Sequence, residues 1–463
     1  MFNFIKQSAD HGLNIIIVGC GKVGTTLVEW LSKENHDIAV IDQRAERVEE
    51  VTGTYDVLEV VGNGASFKVQ QEAGIENADV LIAVTDSDEL NLLCCLVGKR
   101  AGQCDVIARV RTPDYSEEAD YLKEKLGLAM IINPDLECAN AISRILYLPT
   151  ALDVTPFARG KAEMVRIKIP TDNALVGKKI FELGKETSGK ILISMVERDN
   201  DIYIPDGSFE LAGGDVISFI APVRDGRDFL NKTGFQTQQV RSTIIIGGGR
   251  SGYYLAKRLL EDKVKVTIVE SDRNRCEMLS IMLPKAVVIN GNGIDEELLK
   301  EIGIEHVESF VPLTGIDEEN ILLTLHAKDV SDAKVITKVN RITFNNVISS
   351  LDLGSVIYPK YITSEAIVAF VRAKSASMNS NIETLAHLKD DRAEAVEFVI
   401  GEKARVVGVP IKDLTLKENL LIACINRNGQ VIIPGGNDEM KAGDSVIIVT
   451  TIRGLTDIED ILR

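Results

Sequence analysis

The chain contains the same sequence pattern twice. The segment NIIIVGCGKVG, which starts at residue 14, returns as STIIIGGGRSG from residue 242. Gly247 follows Gly19 by 228 positions (247 minus 19), and Asn320 follows Asn91 by 229 (320 minus 91). This nearly constant spacing within 463 residues predicts two structurally equivalent halves separated by few insertions. A motif that occurs in both halves is therefore stronger evidence for a structure or a site than a single match.

Each half divides into a larger and a smaller part. The larger parts, residues 13–132 and 241–358, alternate β-branched runs such as IIIV and VLIAV with helical stretches, a pattern that predicts βαβ units around a parallel sheet. The smaller parts, residues 151–232 and 378–463, hold alternating strands and turn signals such as DND. The sequence thus predicts an α/β protein of two tandem repeats, each a Rossmann-like domain followed by a small α+β domain.

A helix is expected between the two parts of each half, over residues 133–150 and 359–377. Asn133 before Pro134 provides an N-cap and a proline at the first helical position. Apolar residues then recur at helical spacing, so each helix must bury a stripe. Two interpretations stay open here. The stripe packs on its own domain, or it crosses to a neighbouring domain or subunit as an assembly helix.

Composition limits the possible partners. A net charge of -17 opposes binding to nucleic acid or to an anionic membrane surface. No run approaches the roughly 18 to 20 apolar residues that span a bilayer, and the first residues do not resemble a signal peptide. Seven cysteines show neither CxxC nor Cys/His ligand spacing, so neither disulfides nor zinc are expected. We expect a cytoplasmic protein that reaches a membrane only through a protein partner.

A glycine-rich loop follows the first predicted strand. Gly19, Gly21 and Gly24 form G-x-G-x-x-G between that strand and a helix, which is the context of a dinucleotide-binding loop. The glycines permit a tight turn, close approach of a pyrophosphate, and helix packing, and the helix N-terminus favours phosphate. A structural turn without a ligand is the alternative. The candidate binding residues of the two loops are Gly19, Cys20, Gly21, Lys22, Val23 and Gly24, then Gly247, Gly248, Gly249, Arg250, Ser251 and Gly252.

An acidic residue ends the second predicted strand of each half. Asp42 lies 23 positions after Gly19 (42 minus 19), where a carboxylate accepts the hydroxyls of an adenosine ribose, and Glu270 is its equivalent. The carboxylate would repel a 2′-phosphate, which favours NAD(H) or ATP over NADP. Arg44 weakens this exclusion slightly. An acid on a solvated surface is the alternative interpretation.

Further candidates follow the other strands of the first half. Thr85 and Asp86 come after the fourth strand, and Arg109 lies near the end of the fifth, at the sheet edge where open α/β sheets bind ligands. Arg109 is expected to pair either with phosphate or with a neighbouring acid. Asn63 and Gly64 are interpreted as an adenine-side turn, with a plain loop as the alternative.

The second half repeats this arrangement with altered side chains. Thr314 keeps the place of Thr85, whereas Lys338 replaces Arg109. Arg250 stands in the loop where the first half has Lys22, and a guanidinium can hold phosphate with two hydrogen bonds. We therefore hypothesise that the two sites prefer different nucleotides or different redox states of the nucleotide.

Catalytic groups are not apparent. The five histidines share no catalytic or ligand spacing, and the sequence has no G-x-S-x-G motif, Walker A lysine or metal cluster. A dehydrogenase needs a proton donor or acceptor beside its cofactor. We expect no enzyme and no metal site. The alternatives are an NAD-dependent oxidoreductase and a regulatory subunit of another cation transporter.

The motifs together resemble one family. GCGKVG followed by Asp42, AVTDSDELNLLCC, IARVRTPDY, and GGGRSG with Glu270 are similar to the TrkA family, the peripheral subunits of Trk-type potassium uptake systems built from tandem RCK (KTN) units. The similarity covers nearly the whole chain from about Leu13. Two departures are a leading extension of about a dozen residues, and Gly315 where the first half has Asp86.

This resemblance implies a function. Family members bind NAD(H) and ATP or ADP in their Rossmann units and form cytosolic rings, here a homo-oligomer with a tetrameric ring of paired units. They lie on the inner face of the cell membrane, where they gate a TrkH- or TrkG-like potassium-translocating subunit. The family's nucleotide contacts would fall on residues 19–23, Asp42, Thr85, Asp86 and Arg109, and on residues 247–251, Glu270, Thr314 and Lys338.

Overall fold

The computed structural model describes residues 12–340, 351–375, 380–389 and 391–463. The leading extension with His11, and the parts of the second Rossmann-like domain, second linker helix and second small domain that fall in the gaps, lie outside the described residues. The chain forms two compact units. One combines residues 1–134 with 363–383, and the other combines residues 135–362 with 384–463.

The first Rossmann-like domain is a six-stranded parallel sheet with helices on both faces. Its strands are β1 Asn14–Val18, β2 Asp37–Asp42, β3 Leu58–Val61, β4 Val80–Ala83, β5 Asp105–Arg109 and β6 Met130–Ile132. Its helices are α1 Lys22–Leu31, α2 Ala45–Thr52, α3 Phe67–Glu72, α4 Asp88–Ala101, α5 Pro113–Glu117 and α6 Ala119–Leu126. The strand order is β3-β2-β1-β4-β5-β6. The order reverses between β1 and β4, and a crevice for a ligand opens at such a reversal.

The first small domain is an antiparallel sheet that follows a long helix. The helix is α7 Pro134–Tyr147, and the domain contains β7 Asp153–Phe157, β8 Ala162–Lys168, α8 Ile180–Glu186, β9 Leu192–Arg198, β10 Asp201–Tyr203, β11 Val216–Pro222 and α9 Val223–Lys232. The strand order is β10-β9-β11-β8-β7. The aliphatic inner face of this sheet packs against Leu183 of α8 and Phe229 of α9, which gives the domain a core of its own.

The second Rossmann-like domain repeats the first. Its strands are β12 Ser242–Ile246, β13 Lys265–Glu270, β14 Val287–Asn290, β15 Ser309–Pro312, β16 Lys334–Lys338 and β17 Ser355–Ile357. The helices described in it are α10 Arg250–Glu261, α11 Arg273–Met282, α12 Glu296–Glu301 and α13 Asp317–Val330. The strand order β14-β13-β12-β15-β16-β17 matches that of the first domain. The second linker helix, α14 Pro359–Ser375, follows.

The second small domain repeats the first small domain. Its strands are β18 Ser380–Leu388, β19 Ala393–Ile400, β20 Leu420–Arg427, β21 Gln430–Ile432 and β22 Ser445–Thr450, in the order β18-β19-β22-β20-β21. The predicted fold of tandem Rossmann-like and small α+β domains is therefore confirmed. No helix in the described part of the chain is both long enough and apolar enough to cross a bilayer.

Corresponding hairpins of the small domains have the same turn. Asp199 and Asn200 link β9 to β10 with φ angles of 49° and 73°, and Asn428 and Gly429 link β20 to β21 with φ angles of 53° and 84°. Positive φ at both central residues is the type I′ geometry, whose twist suits a two-residue hairpin. Asn, Asp and Gly tolerate this conformation best, and so the signal DND marks the turn.

A buried carboxylate paired with a partly exposed arginine is also present in both small domains. Arg198 holds Asp215 through two hydrogen bonds of 2.7 and 2.8 Å, and Arg427 holds Asp444 through bonds of 2.9 and 2.7 Å. Each carboxylate also accepts a backbone N–H at 2.8 Å. A buried carboxylate is tolerated when it is paired and hydrogen-bonded in this way. The duplication thus extends to single interactions of the small domains.

The first linker helix packs on the second Rossmann-like domain. Ile142, Ile145 and Leu146 of α7 are buried in one core with Leu255 and Leu259 of α10. Of the two interpretations of its apolar stripe, crossing to a neighbouring domain is observed. Local periodicity predicts the stripe but does not specify the surface that covers it.

The second linker helix makes the reciprocal contact. From Thr363 onwards α14 belongs to the unit that contains the first Rossmann-like domain. Arg372 has a side chain only 2% exposed, and its Nε lies 2.9 Å from Oε1 of Glu34, just after α1. Lys374 Nζ lies 2.7 Å from Asp105 Oδ2 on β5. Each linker helix therefore packs on the Rossmann-like domain of the other half.

Candidate functional site

The two glycine-rich loops have the same backbone geometry. Gly19 and Gly247 have φ angles of 107° and 104°, which a side chain would disfavour. A Cβ on Gly24 would lie 1.9 Å from the carbonyl oxygen of Gly19, and one on Gly252 would lie 2.2 Å from that of Gly247. The first and last glycines of each motif are thus required by the fold of the chain itself.

The middle glycine of each motif has no such internal requirement. A Cβ on Gly249 would meet nothing within 4 Å, and one on Gly21 would meet only the tip of Arg47, at 3.9 Å. Gly21 and Gly249 are also the N-caps of α1 and α10, and neither helix has a side-chain cap hydrogen bond. Open space in front of a helix N-terminus fits a phosphate group.

The predicted acids lie directly beneath the loops. Asp42 Oδ2 accepts the backbone N–H of Cys20 at 2.8 Å, and Glu270 Oε2 accepts that of Gly248 at 2.8 Å. The second oxygen of each carboxylate accepts a backbone N–H two residues further along the chain, at 3.0 Å from Arg44 and at 2.9 Å from Asp272. These carboxylates therefore fix the loop conformation as well as the edge of the crevice.

The thiol in the first loop stays protonated at neutral pH. Burial, together with the nearby Asp42 carboxylate, raises the pKa of Cys20 to about 12. The seven cysteines are all buried free thiols. A protonated Cys20 adds no negative charge that would oppose a phosphate.

The remaining loop residues divide into exposed and buried positions. Lys22 and Arg250, the first residues of α1 and α10, are exposed. Val23 and Ser251 follow them and are buried. The exposed cations lie at the helix N-termini, where a phosphate would be bound.

Two buried asparagines organise the neighbouring strand ends, and sequence reasoning did not assign them to the site. Asn91 Oδ1 accepts the backbone N–H and the hydroxyl of Thr85 at 2.8 and 2.7 Å, and its Nδ2 donates to the carbonyl oxygen of Arg109 at 2.9 Å. Asn320 binds Thr314 and the carbonyl oxygen of Lys338 in the same way. Their constant spacing in the duplication was the signal available for finding them.

Replacing Asn91 with alanine is expected to destabilise the first unit by about 1–3 kcal/mol, because buried polar groups of Thr85 and Arg109 lose their partner. Chemical denaturation of the full chain measures the change. Asn63→Ala is the matched control, since the Asn63 side chain caps a half-exposed backbone N–H at Ala65. Equal stability of N91A and N63A would contradict the expectation.

Arg109 pairs with an acid, which is one of its two predicted alternatives. Its Nη2 lies 3.2 Å from Asp86 Oδ1 and also donates to the carbonyl oxygen of Thr85. Burial is the main cause that lowers the pKa of its guanidinium. The second half differs, because Lys338 Nζ donates to the carbonyl oxygen of Leu313 at 3.0 Å and Gly315 offers no carboxylate.

The turn at Asn63 and Gly64 closes over the end of β1. Asn63 Oδ1 accepts the backbone N–H of Ala65 at 3.0 Å, and a Cβ on Gly64 would lie 2.3 Å from Cγ1 of Val18. These contacts explain the residue types by local structure. They leave the adenine-side interpretation of this turn a prediction.

An arginine of α11 that contacts the second loop was not singled out from the sequence. Arg275 Nε donates to the carbonyl oxygen of Gly248 at 2.7 Å. Arg47 lies 228 positions earlier (275 minus 47) and approaches Gly21 in the first half. An arginine beside each loop adds positive charge where phosphate would be bound.

Family models match most of the chain. The TrkA-N domain matches residues 15–134 and 243–359, and the TrkA-C domain matches residues 164–234 and 395–463. These ranges follow the alternation of Rossmann-like and small domains. Each of the two family models thus matches the chain twice.

Curated relatives are similar over nearly their full length. "Trk system potassium uptake protein TrkA homolog 1" of Methanosarcina mazei is 30% identical over 458 residues, which covers 96% of this chain and 99% of the relative. "Trk system potassium uptake protein TrkA homolog" of Archaeoglobus fulgidus is 31% identical, with 97% and 100% covered. The protein named TrkA of Halomonas elongata is 31% identical, with 97% and 99% covered.

Solved structures share the fold at low sequence identity. "GsuK channel bound to NAD" has a TM-score of 0.62 at 17% identity, covering 96% of this chain and 78% of that one. "Crystal Structure of the GsuK RCK domain" has a TM-score of 0.62 at 18% identity, covering 96% and 93%. With both domain models matched twice and relatives similar from end to end, the chain belongs to the TrkA family.

Proposed function

We propose that this protein is a regulatory subunit that binds adenine nucleotides at its two Rossmann loops and transmits their presence to a TrkH- or TrkG-like potassium-translocating membrane subunit. The observation that carries the proposal is the repeated pairing of loop and acid. Asp42 and Glu270 each accept a loop N–H at 2.8 Å, in front of a helix N-terminus with open space at Gly21 or Gly249. The names of the curated relatives support potassium uptake as the process.

The proposed ligands are NAD(H) and ATP or ADP. An adenosine ribose would lie against Asp42 or Glu270, and the phosphates would face the loop amides together with Lys22 in the first half and Arg250 in the second. The ligand supplies no chemistry in this role. It is held as a signal, which is why we propose a regulatory protein and no enzyme.

The proposed location is the cytoplasmic face of the cell membrane, with the protein bound there through its membrane partner. We further propose a homo-oligomeric ring. Its support is a pair of exposed apolar side chains at matched positions, Leu93 on α4 at 48% exposure and Leu322 on α13 at 67%. Large exposed aliphatic side chains at equivalent places are typical of surfaces that associate.

The mechanism is a shift between two ring conformations. A nucleotide that binds one conformation more tightly favours it by the difference in binding free energy, typically about 1–3 kcal/mol per coupled site. Each linker helix is covalently continuous with one half and packs on the Rossmann-like domain of the other half, and Asp135 of α7 contacts the second loop at Ser251. A change at the second loop can therefore act on α7, which continues into the first half.

Replacing Asp42 or Glu270 with alanine is expected to weaken binding at one of the two sites by roughly tenfold or more, because the ribose contact and the loop anchor are lost together. Titration calorimetry of the full chain with NADH and with ATP measures both sites. Glu46→Ala removes an exposed acid of α2 and serves as control.

The same variants are then reconstituted with the potassium-translocating subunit, and potassium flux is measured with and without nucleotide. Flux that responds to nucleotide in the parent protein and loses that response in the Asp42→Ala, Glu270→Ala double variant is expected. Unchanged affinities in both variants, or turnover of NADH by the purified chain, would overturn the proposal.

A further inference from the structure

The second glycine-rich loop carries an acidic contact from a distant part of the sequence. Asp135 lies in the first turn of α7, and its Oδ1 accepts the hydroxyl of Ser251 at 2.5 Å. Ser251 is the second residue of α10 and is 5% exposed. The linker helix therefore brings a carboxylate to the helix N-terminus at which a phosphate would be bound.

The charge of Asp135 also acts near the end of β16, where Lys338 lies. The pKa of the Cys138 thiol is raised to about 12, mainly by burial; the Lys338 ammonium opposes this rise and the Asp135 carboxylate adds to it. Cys138 lies one helical turn after Asp135 and is fully buried. Asp135 and Lys338 thus act electrostatically on the same buried position.

The first loop cannot form the same contact through the equivalent residue. Val23 lies 228 positions before Ser251 (251 minus 23), and it is a buried aliphatic side chain without a hydroxyl. The duplication otherwise conserves the loop glycines and the acid beneath them. The bond from Ser251 to a carboxylate is therefore a specific difference between the halves.

We propose that Asp135 is a specificity-determining residue of the second site, which selects NAD(H) over ATP. This inference rests on the proposed function. A phosphate that takes the hydroxyl of Ser251 must displace the carboxylate, and any negative charge near it is repelled. ATP carries a terminal phosphate that NAD(H) lacks, so the penalty falls more heavily on ATP. Arg250 and Arg275 on the loop side offset the repulsion for a bridging diphosphate.

The test uses the full chain with Asp42→Ala, which weakens the first site so that the second site is the tighter of the two. In this background Asp135→Asn keeps an acceptor for Ser251 and removes the charge. Affinity for ATP is expected to rise about tenfold, and affinity for NADH to change less than about threefold, because Coulomb repulsion scales with ligand charge. Calorimetry at low salt measures both, and added salt is expected to shrink the difference.

Glu137→Gln, on the same helix two positions away, removes an equal charge from outside the contact and is expected to leave the ratio of ATP to NADH affinity unchanged. Asp135→Ala is a second variant that removes the charge without adding amide donors, and thermal melting of each variant verifies folding. An unchanged ratio in both Asp135 variants, with NADH still bound, would overturn this inference alone. Absence of nucleotide binding by the parent chain would instead overturn the proposed function.

Discussion

Replacing Arg372 with methionine is expected to destabilise the first unit by about 3–5 kcal/mol, because Glu34 is then left as a buried charge without its guanidinium partner. The Arg372 side chain is 2% exposed, and two of its nitrogens lie 2.9 and 2.5 Å from Glu34 Oε1. Methionine keeps most of the apolar stem. Denaturant unfolding of the full chain, followed by a probe in the first Rossmann-like domain such as Trp30, measures the loss.

The matched control is Lys374→Ala on the same helix. Lys374 pairs with Asp105 at 2.7 Å, but both side chains are about one-third exposed. Water and salt screen such a pair, so a change of at most about 1 kcal/mol is expected. Equal losses in the two variants would contradict the view that burial makes the pair of Arg372 with Glu34 important.

The effect of Arg372→Met is expected to be smaller at pH 5.5 than at pH 8. Burial is the main cause that lowers the pKa of His36 from its ordinary 6.5, and Arg372 lowers it further, while Glu34, Asp37 and Asp79 raise it. The parent protein loses stability as the pH falls through 6.5, since its unfolded state binds that proton more readily. Without Arg372, His36 accepts the proton more readily and partly offsets the charge of Glu34. A pH-independent difference would contradict this coupling.

Replacing Gly24 with alanine is expected to destabilise the first Rossmann-like domain by about 3 kcal/mol, because the new Cβ would lie 1.9 Å from the backbone carbonyl oxygen of Gly19. No rotamer change relieves a collision with backbone, so β1 and α1 must separate. A lower melting temperature of the full chain, together with weaker nucleotide binding at the first site, is the expected result.

Gly249→Ala separates stability from binding. A Cβ on Gly249 meets nothing within 4 Å, and no positive φ is needed there. Its stability is expected to change by less than about 1 kcal/mol, since alanine at a compatible position does not strain the backbone. Nucleotide affinity at the second site is expected to fall, because the methyl group would occupy the space open to the phosphates. Unchanged affinity with an intact fold would argue that this space serves no ligand.

Much of the fold and part of the site follow from local sequence. The aliphatic runs, the glycine spacing and the acid at the end of the second strand predicted two Rossmann-like domains, each with a glycine-rich loop and an acid. These signals are readable because each depends on residues close in sequence or on one strand period. The duplication strengthened them. It also carried the positions of Asn91 and Arg47, whose contacts became apparent only from the structure.

Other features depended on contacts between residues distant in the chain. The pairing of Arg109 with Asp86 depends on β4 and β5 being neighbours in the sheet, which local sequence does not specify. The stripe on α7 required burial, but the surface that buries it belongs to a domain about a hundred residues later.

The sequence by itself determined the repeat, the two domain types and the loops with their acids, since short-range periodicity and glycine stereochemistry encode them. Only the tertiary structure decided the exchange of the linker helices, the pairing of Arg372 with Glu34, and the position of Asp135 at Ser251. A helical stripe in the sequence shows that one face of a helix is apolar, and a single charged residue shows only the sign of its charge. Which partner each one meets is set by packing among residues hundreds of positions apart.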